Sequence, residues 1–243
     1  SVWVMVVMGM SSAQMKLTNH PLWITELSWE TFFLFIGVTF VCSSTFILNQ
    51  ISDVESDAIN KKLFLVGQYF SLEKSQSIAK TLLISGLIIS IIANWFTTIL
   101  VVCIYLVWGI LYNQKPFKWK KKPILGWFAN SIAGVLLFMV GWYLVMVNQL
   151  NIQLMILDIS MFESMFPYIL CFSAGALLTT LPDMKGDVES GDKTFPIAYG
   201  NLSAMILSLI LICSSFVFSL YNQDPIASTA TLVSIPFFVM MVL

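Results

Sequence analysis

Apolar residues in this chain come in long runs separated by short polar segments. Runs at residues 29 to 48, 75 to 93, 95 to 112, 124 to 147, 165 to 182, 201 to 221 and 226 to 243, with a shorter one before residue 11, are each about long enough to cross roughly 30 Å of hydrocarbon as a helix. The pattern predicts seven fairly complete transmembrane helices and one stub. The chain opens at Ser1 and closes at Leu243 inside apolar sequence, so both ends are expected to be trimmed and a ninth span to be missing. The expected fold class is all-α, a polytopic membrane helical bundle.

Composition removes the soluble classes. Hydrophobic residues make up 58% of the chain and charged residues only 10%, with a mean hydropathy of +0.87, far from the balance of a soluble domain. The opening stretch lacks a basic segment and a small-residue cleavage site, so no cleavable signal peptide is expected. Cys42, Cys103, Cys171 and Cys213 lie singly in apolar runs, which favours packing over a disulfide or a zinc site. The chain has no Arg, and eleven of its twelve Lys fall in or beside residues 58 to 80, 113 to 123 and 183 to 196. These segments alternate correctly with the spans, so they share one face, which the positive-inside rule makes cytoplasmic. The stretch 149 to 165 is apolar but carries Asp158 and Glu163, and reads as an interfacial helix or lid on the outer face. His20, the single histidine, falls in an outer loop.

The scarce carboxylates are not scattered. In "NQISDVESD", Asn49, Asp53 and Asp57 recur every four residues, which drifts only about 40° per step and puts all three on one helix face. A second pair, Asp183 and Asp187, follows another span on the same face of the membrane. Two carboxylates one turn apart repel unless a positive charge sits between them, and hard divalent cations bind through carboxylate and phosphate oxygens. Each pair is open to two readings, solvated helix-end charge or part of a clamp that binds a diphosphate through metal ions. Two pairs in a chain with thirteen acidic residues favour the clamp. Glu55 and Asp192 lie off these faces and are expected to be solvated.

Between the pairs, "LYNQKPFKWKKKPILGWFAN" gathers Lys115, Lys118, Lys120, Lys121 and Lys122 beside Tyr112. These lysines suit membrane anchoring next to anionic lipid, or, for one or two of them, neutralising a diphosphate as it leaves.

In order, these segments resemble the signatures of the UbiA superfamily of intramembrane prenyltransferases. The first signature has Asn, then Asp or Gln, then Asp at the fifth and ninth places, matched by Asn49, Gln50, Asp53 and Asp57. The second is matched in register by Asp183, Asp187, Gly191, Thr194, Pro196 and Gly200, and the middle one by Tyr112, Asn113, Pro116, Lys118, Lys120 and Gly126. One departure stands out. Where many members carry a basic, Pro-rich segment after the first signature, this chain reads "KKLFLVGQYFSLEKS".

The resemblance implies a single UbiA-like domain over residues 1–243, with about eight to nine helices around a central cavity and cytoplasmic cap loops near 53–74 and 183–197. It implies Mg²⁺ held by Asp53, Asp57, Asp183 and Asp187, and a polyprenyl diphosphate donor that ionises at its allylic carbon. Lys120 would stabilise the departing charge and Tyr112 would position the leaving group. Asn49, Lys61, Lys62, Lys118 and Lys193 would contact substrate. The acceptor would be lipophilic: an aromatic quinone precursor, a glycerol-phosphate ether lipid or a chlorin. The expected surroundings are membrane lipid of a cell or inner membrane, with no nucleic acid as partner. A UbiA-type membrane terpene cyclase would ionise the same donor and capture the cation internally, and is the alternative. A transporter fits less well, because almost every charge lies at a predicted membrane boundary.

Overall fold

The computed structural model describes residues 2–20, 28–150 and 159–243. Ten α-helices follow one another along these residues, and the only extended pairing among them is an isolated bridge between Val66 and Phe70. Seven helical stretches are long and apolar enough to cross a membrane: Trp29–Ile59, Leu72–Ala93, Trp95–Tyr112, Pro123–Val147, Ile159–Glu189, Asn201–Tyr221 and Pro225–Val242. They coincide with the seven predicted spans, and α1 (Val2–Thr18) is the expected stub. The fold is all-α, and its apolar helices mark an integral membrane protein.

The described residues group into two compact units, Ser1–Lys118 with Leu136–Ile156, and Trp119–Val135 with Leu157–Leu243. In the first unit α1, α2 (Trp29–Ile59), α3 (Leu72–Ala93) and α4 (Trp95–Ile104) are joined by the later part of α5 (Pro123–Leu150). Capping side chains set the starts. Ser28 Oγ accepts from Thr31 N–H, Ser71 Oγ from Lys74 N–H, and Asn94 Oδ1 from Thr97 N–H, each meeting one of the four N–H groups a helix start leaves unpaired. Asn94 is extended, with φ −163°, which breaks α3 from α4.

Small residues let these helices touch backbone to backbone, as expected where lipid removes the hydrophobic drive between spans. A Cβ on Gly9 of α1 would lie 2.1 Å from the Phe138 carbonyl oxygen of α5, and one on Gly141 would lie 1.9 Å from that of Val6. Gly37 and Gly86 make the equivalent crossing of α2 and α3, and Ser44 Oγ donates to the Ala79 carbonyl at 2.8 Å beside it. Beyond Ile104, α4 widens into a π-helical segment, Tyr105–Tyr112, a form common at functional positions. The Asn113 side-chain amide donates to the Trp108 carbonyl at 2.7 Å and closes that segment.

The second unit holds the start of α5, α6 (Ile159–Leu178), the short α7 (Met184–Glu189) and α8 (Phe195–Tyr199), α9 (Asn201–Tyr221) and α10 (Pro225–Val242). Trp127 Nε1 and Ser131 Oγ of α5 reach Ser173 of α6 at 3.0 and 2.7 Å. Ser208 and Ser215 of α9 donate to the Ala174 and Pro167 carbonyls of α6. Pro167 lies inside α6 and has no N–H to give the Glu163 carbonyl one turn back. The Asn222 side-chain amide donates to that carbonyl instead.

The helix that carries "NQISDVESD" runs on past the apolar run through Ile59, as the shared helix face of Asn49, Asp53 and Asp57 requires. One expectation changes. Glu163 and the residues from Ile159 onward are the opening turns of α6, continuous with the span they precede, and not a separate interfacial helix. Asn151 to Asp158, the rest of the proposed lid, fall outside the described residues. The four cysteines are free and half-buried.

Candidate functional site

In the first unit the acidic face is formed by the last three turns of α2. Asn49, Asp53 and Asp57 are half-buried on it, and Glu55, off that face, is exposed as expected. Asn49 Oδ1 is buried with no hydrogen-bond partner, a costly state for an amide oxygen unless a ligand completes it. Gln50, the second residue of the signature, works differently. It is buried, and its Oε1 accepts from the N–H groups of Leu65 and Val66 at 2.9 and 3.3 Å. That grips the loop after α2, whose Val66 side chain sits in a buried cluster with Ile47 and Ala79.

The α2 terminus has a defined stop. Lys62 N–H bonds back to the Asp57 carbonyl at 2.8 Å and Lys61 N–H to that of Ala58 at 3.3 Å, with Lys61 at φ 56°. This is the Schellman pattern, in which a left-handed residue turns the chain away and the next N–H reaches back over the last turn. Lys61 and Lys62 are both exposed there, and Tyr112 is half-buried at the end of the π-helical segment. Lys118 lines a cavity with Ser44, Leu48, Ile51 and Ser52 of α2, roughly 150° around the helix from the acidic face.

In the second unit Asp183 ends a short 3-10 turn, Leu181–Asp183, and Asp187 lies one turn on in α7. Both are half-buried. α7 closes by the same pattern as α2: Asp192 N–H bonds the Asp187 carbonyl at 2.8 Å and Gly191 N–H that of Val188 at 3.1 Å. Gly191, at φ 75°, is the left-handed residue, which explains a glycine four places after the second Asp. Lys193 is exposed, and Thr194 Oγ1 is buried without a hydrogen-bond partner.

Asp192 corrects the sequence reading. It is not solvated but buried, 7% exposed, and its carboxylate is ion-paired with Lys121. Lys121 belongs to a 3-10 turn, Trp119–Lys121, in which Lys120 is also buried. Gly126 allows that turn to fold tightly onto α5, since a Cβ there would sit 3.1 Å from the Trp119 carbonyl oxygen. Trp127 meets Phe195 edge to face at 6.1 Å, so α5, the lysine turn and the 192–195 segment form one local assembly. Nothing in the spacing of Lys121 and Asp192, 71 residues apart, announced this pair; the one available signal was that Asp192 directly follows the turn glycine.

Within neither unit do three or more His, Cys, Asp or Glu side chains gather as a metal site among the described residues. What each unit offers is a pair of carboxylates one turn apart, joined in the first by the unpaired Asn49 oxygen. These are hard oxygen donors of the kind Mg²⁺ takes, usually one or two carboxylates completed by phosphate and water. The residues present fit that ion.

Comparison with known proteins gives the same direction. A digeranylgeranylglyceryl phosphate synthase of Methanobrevibacter smithii is 28% identical over 181 residues, covering 73% of this chain and 62% of that protein. A chloroplastic 2-acyl-4-prenylphloroglucinol 6-prenyltransferase of Humulus lupulus is 28% identical over 163 residues, covering 63% of this chain and 38% of that protein. The aligned region therefore spans less than two thirds of the length of either relative. A UbiA homolog from Archaeoglobus fulgidus, solved bound to DMAPP and Mg²⁺, shares the fold over 99% of this chain and 83% of its own, with a TM-score of 0.71 at 14% identity. A second structure of a UbiA homolog from that organism matches with a TM-score of 0.64, also at 14% identity and over 82% of its own chain. The family model of the UbiA prenyltransferases matches residues 2–243, a range that contains both acidic helix ends and the lysine turn, and the chain belongs to the UbiA prenyltransferase family.

Proposed function

We propose that this protein transfers a polyprenyl group from a polyprenyl diphosphate to a lipophilic acceptor within the membrane. The observation that carries the reading is the recurrence of one local design in a member of this family: two helix ends, each presenting a pair of aspartates one turn apart and each closed by the same turn. Asp53 and Asp57, and Asp183 and Asp187, are the proposed Mg²⁺ ligands. Bound there, Mg²⁺ would neutralise the diphosphate and make it a better leaving group.

The remaining roles belong to the chain. Asn49 Oδ1, buried and unpaired, completes the oxygen set on α2. Lys120, buried beside the Lys121–Asp192 pair, is the cation we assign to the departing diphosphate, where a fixed charge in a low-dielectric setting acts most strongly. Lys61, Lys62 and Lys193 add exposed positive charge for donor binding, and Tyr112 orients the leaving group. The apolar spans exclude water from the allylic cation until an acceptor nucleophile takes the carbon and releases a proton. On this reading the site opens to the cytoplasm, which the lysines of the three segments favour by the positive-inside rule. Between the acceptor classes, the M. smithii relative's name favours a glycerol-phosphate lipid and the H. lupulus relative's name an activated aromatic ring.

The test is incubation of purified protein with geranylgeranyl diphosphate and Mg²⁺, with and without a panel of these acceptors, followed by mass spectrometry of the lipid extract. The expected product has the mass of acceptor plus prenyl group and disappears with EDTA. Diphosphate release with only a hydrocarbon or alcohol product would replace this reading with a terpene cyclase, and no metal-dependent consumption of any donor would overturn both.

A further inference from the structure

Asp192 is tied to both halves of the second unit's site. Its backbone N–H bonds the Asp187 carbonyl at 2.8 Å, which fixes it to the end of the helix that carries the second acidic pair. Its carboxylate is ion-paired with Lys121, which fixes it to the lysine turn beside Lys120. Each piece is internally held. Lys122 N–H bonds the Trp119 carbonyl at 2.9 Å and Gly126 N–H that of Lys122 at 2.8 Å, so the turn runs on into α5. What the pair sets is therefore the orientation of one piece against the other. Successive residues of a 3-10 turn point about 120° apart, so holding Lys121 toward Asp192 also sets the direction of Lys120. The fold treats these neighbours differently. Lys121 keeps 33% of its side chain exposed, whereas Lys120 is 7% exposed.

Stability alone does not account for the pair. Trp127 already joins α5 to α6 through the Ser173 carbonyl at 3.0 Å, and to Phe195 edge to face, and neither contact needs a charge. Taking a carboxylate out of water costs about as much as its ion pair returns, so an apolar pair of similar volume would hold the two segments as well. A charged hydrogen bond adds direction, because it is short and restricted in geometry.

We propose that Asp192 is a positioning residue for Lys120. By holding Lys121, it withdraws that lysine from the diphosphate and keeps the turn in one orientation, so that the Lys120 ammonium stands in a fixed relation to Asp183 and Asp187. The inference rests on the prenyl-transfer reading, in which those aspartates hold Mg²⁺ and Lys120 meets the departing charge. It separates two adjacent lysines by role: Lys120 acts on the substrate, and Lys121 acts through its neighbour.

The test compares Asp192→Asn, Lys121→Met and the double variant with the wild type. Each is assayed as the full chain in detergent with geranylgeranyl diphosphate, Mg²⁺ and acceptor, with rates per mole of folded protein and thermal melts alongside. All three variants should lose kcat alike, by about tenfold or more, as a displaced charge implies. The donor KM should stay within about twofold, because an interaction made only with the developing charge is missed in kcat and not in binding. Equal losses in the single and double variants mark two residues acting as one unit. Asp192→Glu, which keeps the charge, should recover part of the rate, and Glu189→Gln, which removes an exposed carboxylate from α7, should leave it at the wild-type level.

A second readout needs no turnover. Under limiting acetic anhydride, read by peptide mass spectrometry against exposed Lys115, Lys120 should be acetylated about tenfold faster in Asp192→Asn than in the wild type as the turn loosens. Unchanged Lys120 labelling would overturn the proposal. So would variants that melt lower yet keep the wild-type kcat, which would make the pair structural only, or a larger loss in Lys121→Met than in Asp192→Asn, which would put Lys121 on the substrate. A wild type without metal-dependent turnover would overturn the prenyl-transfer reading itself, and the labelling would then decide alone whether Asp192 holds Lys120.

Discussion

The ends of α2 and α7 build the same acidic pair on very different supports. In both, the second aspartate, Asp57 or Asp187, is the third residue from the helix end, and its carbonyl takes the N–H that closes the turn. α2 arrives there after 31 residues of helix held by close crossings with α3. α7 has six residues, too few to hold a helix without outside help. The supports for the chain beyond each end differ accordingly. Gln50 grips the loop after α2 through a neutral amide from within its own helix, whereas the chain after α7 is held by the Asp192–Lys121 ion pair from another segment. The lesson is that a long helix tolerates an imperfect stop, Lys61 in the left-handed region, while a single turn needs glycine and an anchor.

Removing either carboxylate pair should produce the largest effect and should not distinguish the two ends. Asp53→Asn and Asp187→Asn are each expected to lower turnover by about 10²-fold or more, measured as prenylated product per mole of folded enzyme; full activity in both variants would remove the shared acidic design from the chemistry. Asp192→Ala should separate the ends. It breaks a pair whose lysine is one-third exposed, for an expected loss of about 1–3 kcal/mol and a matching fall in turnover as α7 loosens, whereas Lys62→Ala, its counterpart after α2, should cost under about 0.5 kcal/mol. Thermal melts in detergent give the comparison, and equal costs would break it. Gln50→Leu removes the acceptor for two loop N–H groups and is expected to cost about 1–2 kcal/mol, read as faster amide exchange at Leu65 and Val66. The smallest pair has opposite signs. Gly191→Ala should destabilise by about 1 kcal/mol, since nothing crowds that position and only its backbone angle is at stake, and Lys61→Gly should stabilise by about 0.5 kcal/mol.

Hydropathy made the seven spans legible because bilayer thickness sets a length that composition cannot disguise. It misplaced the start of α6, and it does not mark the end of α2, for the same reason. A hydropathy run reports where lipid stops, whereas Gln50, Ser52 and Asp53 stay helical past that point because backbone bonding continues through them. Four-residue spacing was enough to put Asn49, Asp53 and Asp57 on one face, since that follows from helix geometry alone. Asp192 was not legible, because its burial depends on a lysine brought to it by the fold. The inward role of Gln50 and the π-helical widening before Tyr112 were hidden too, as both depend on which neighbours supply hydrogen bonds.

The proline in α6 bears on how the protein is made. The amide that meets the Glu163 carbonyl lies 59 residues later, at Asn222, and the bond is exposed, so water holds that carbonyl until the later segment arrives. The contact between the end of α9 and the opening turns of α6 then replaces that water, and it ties together two stretches of the second unit that are made far apart in time.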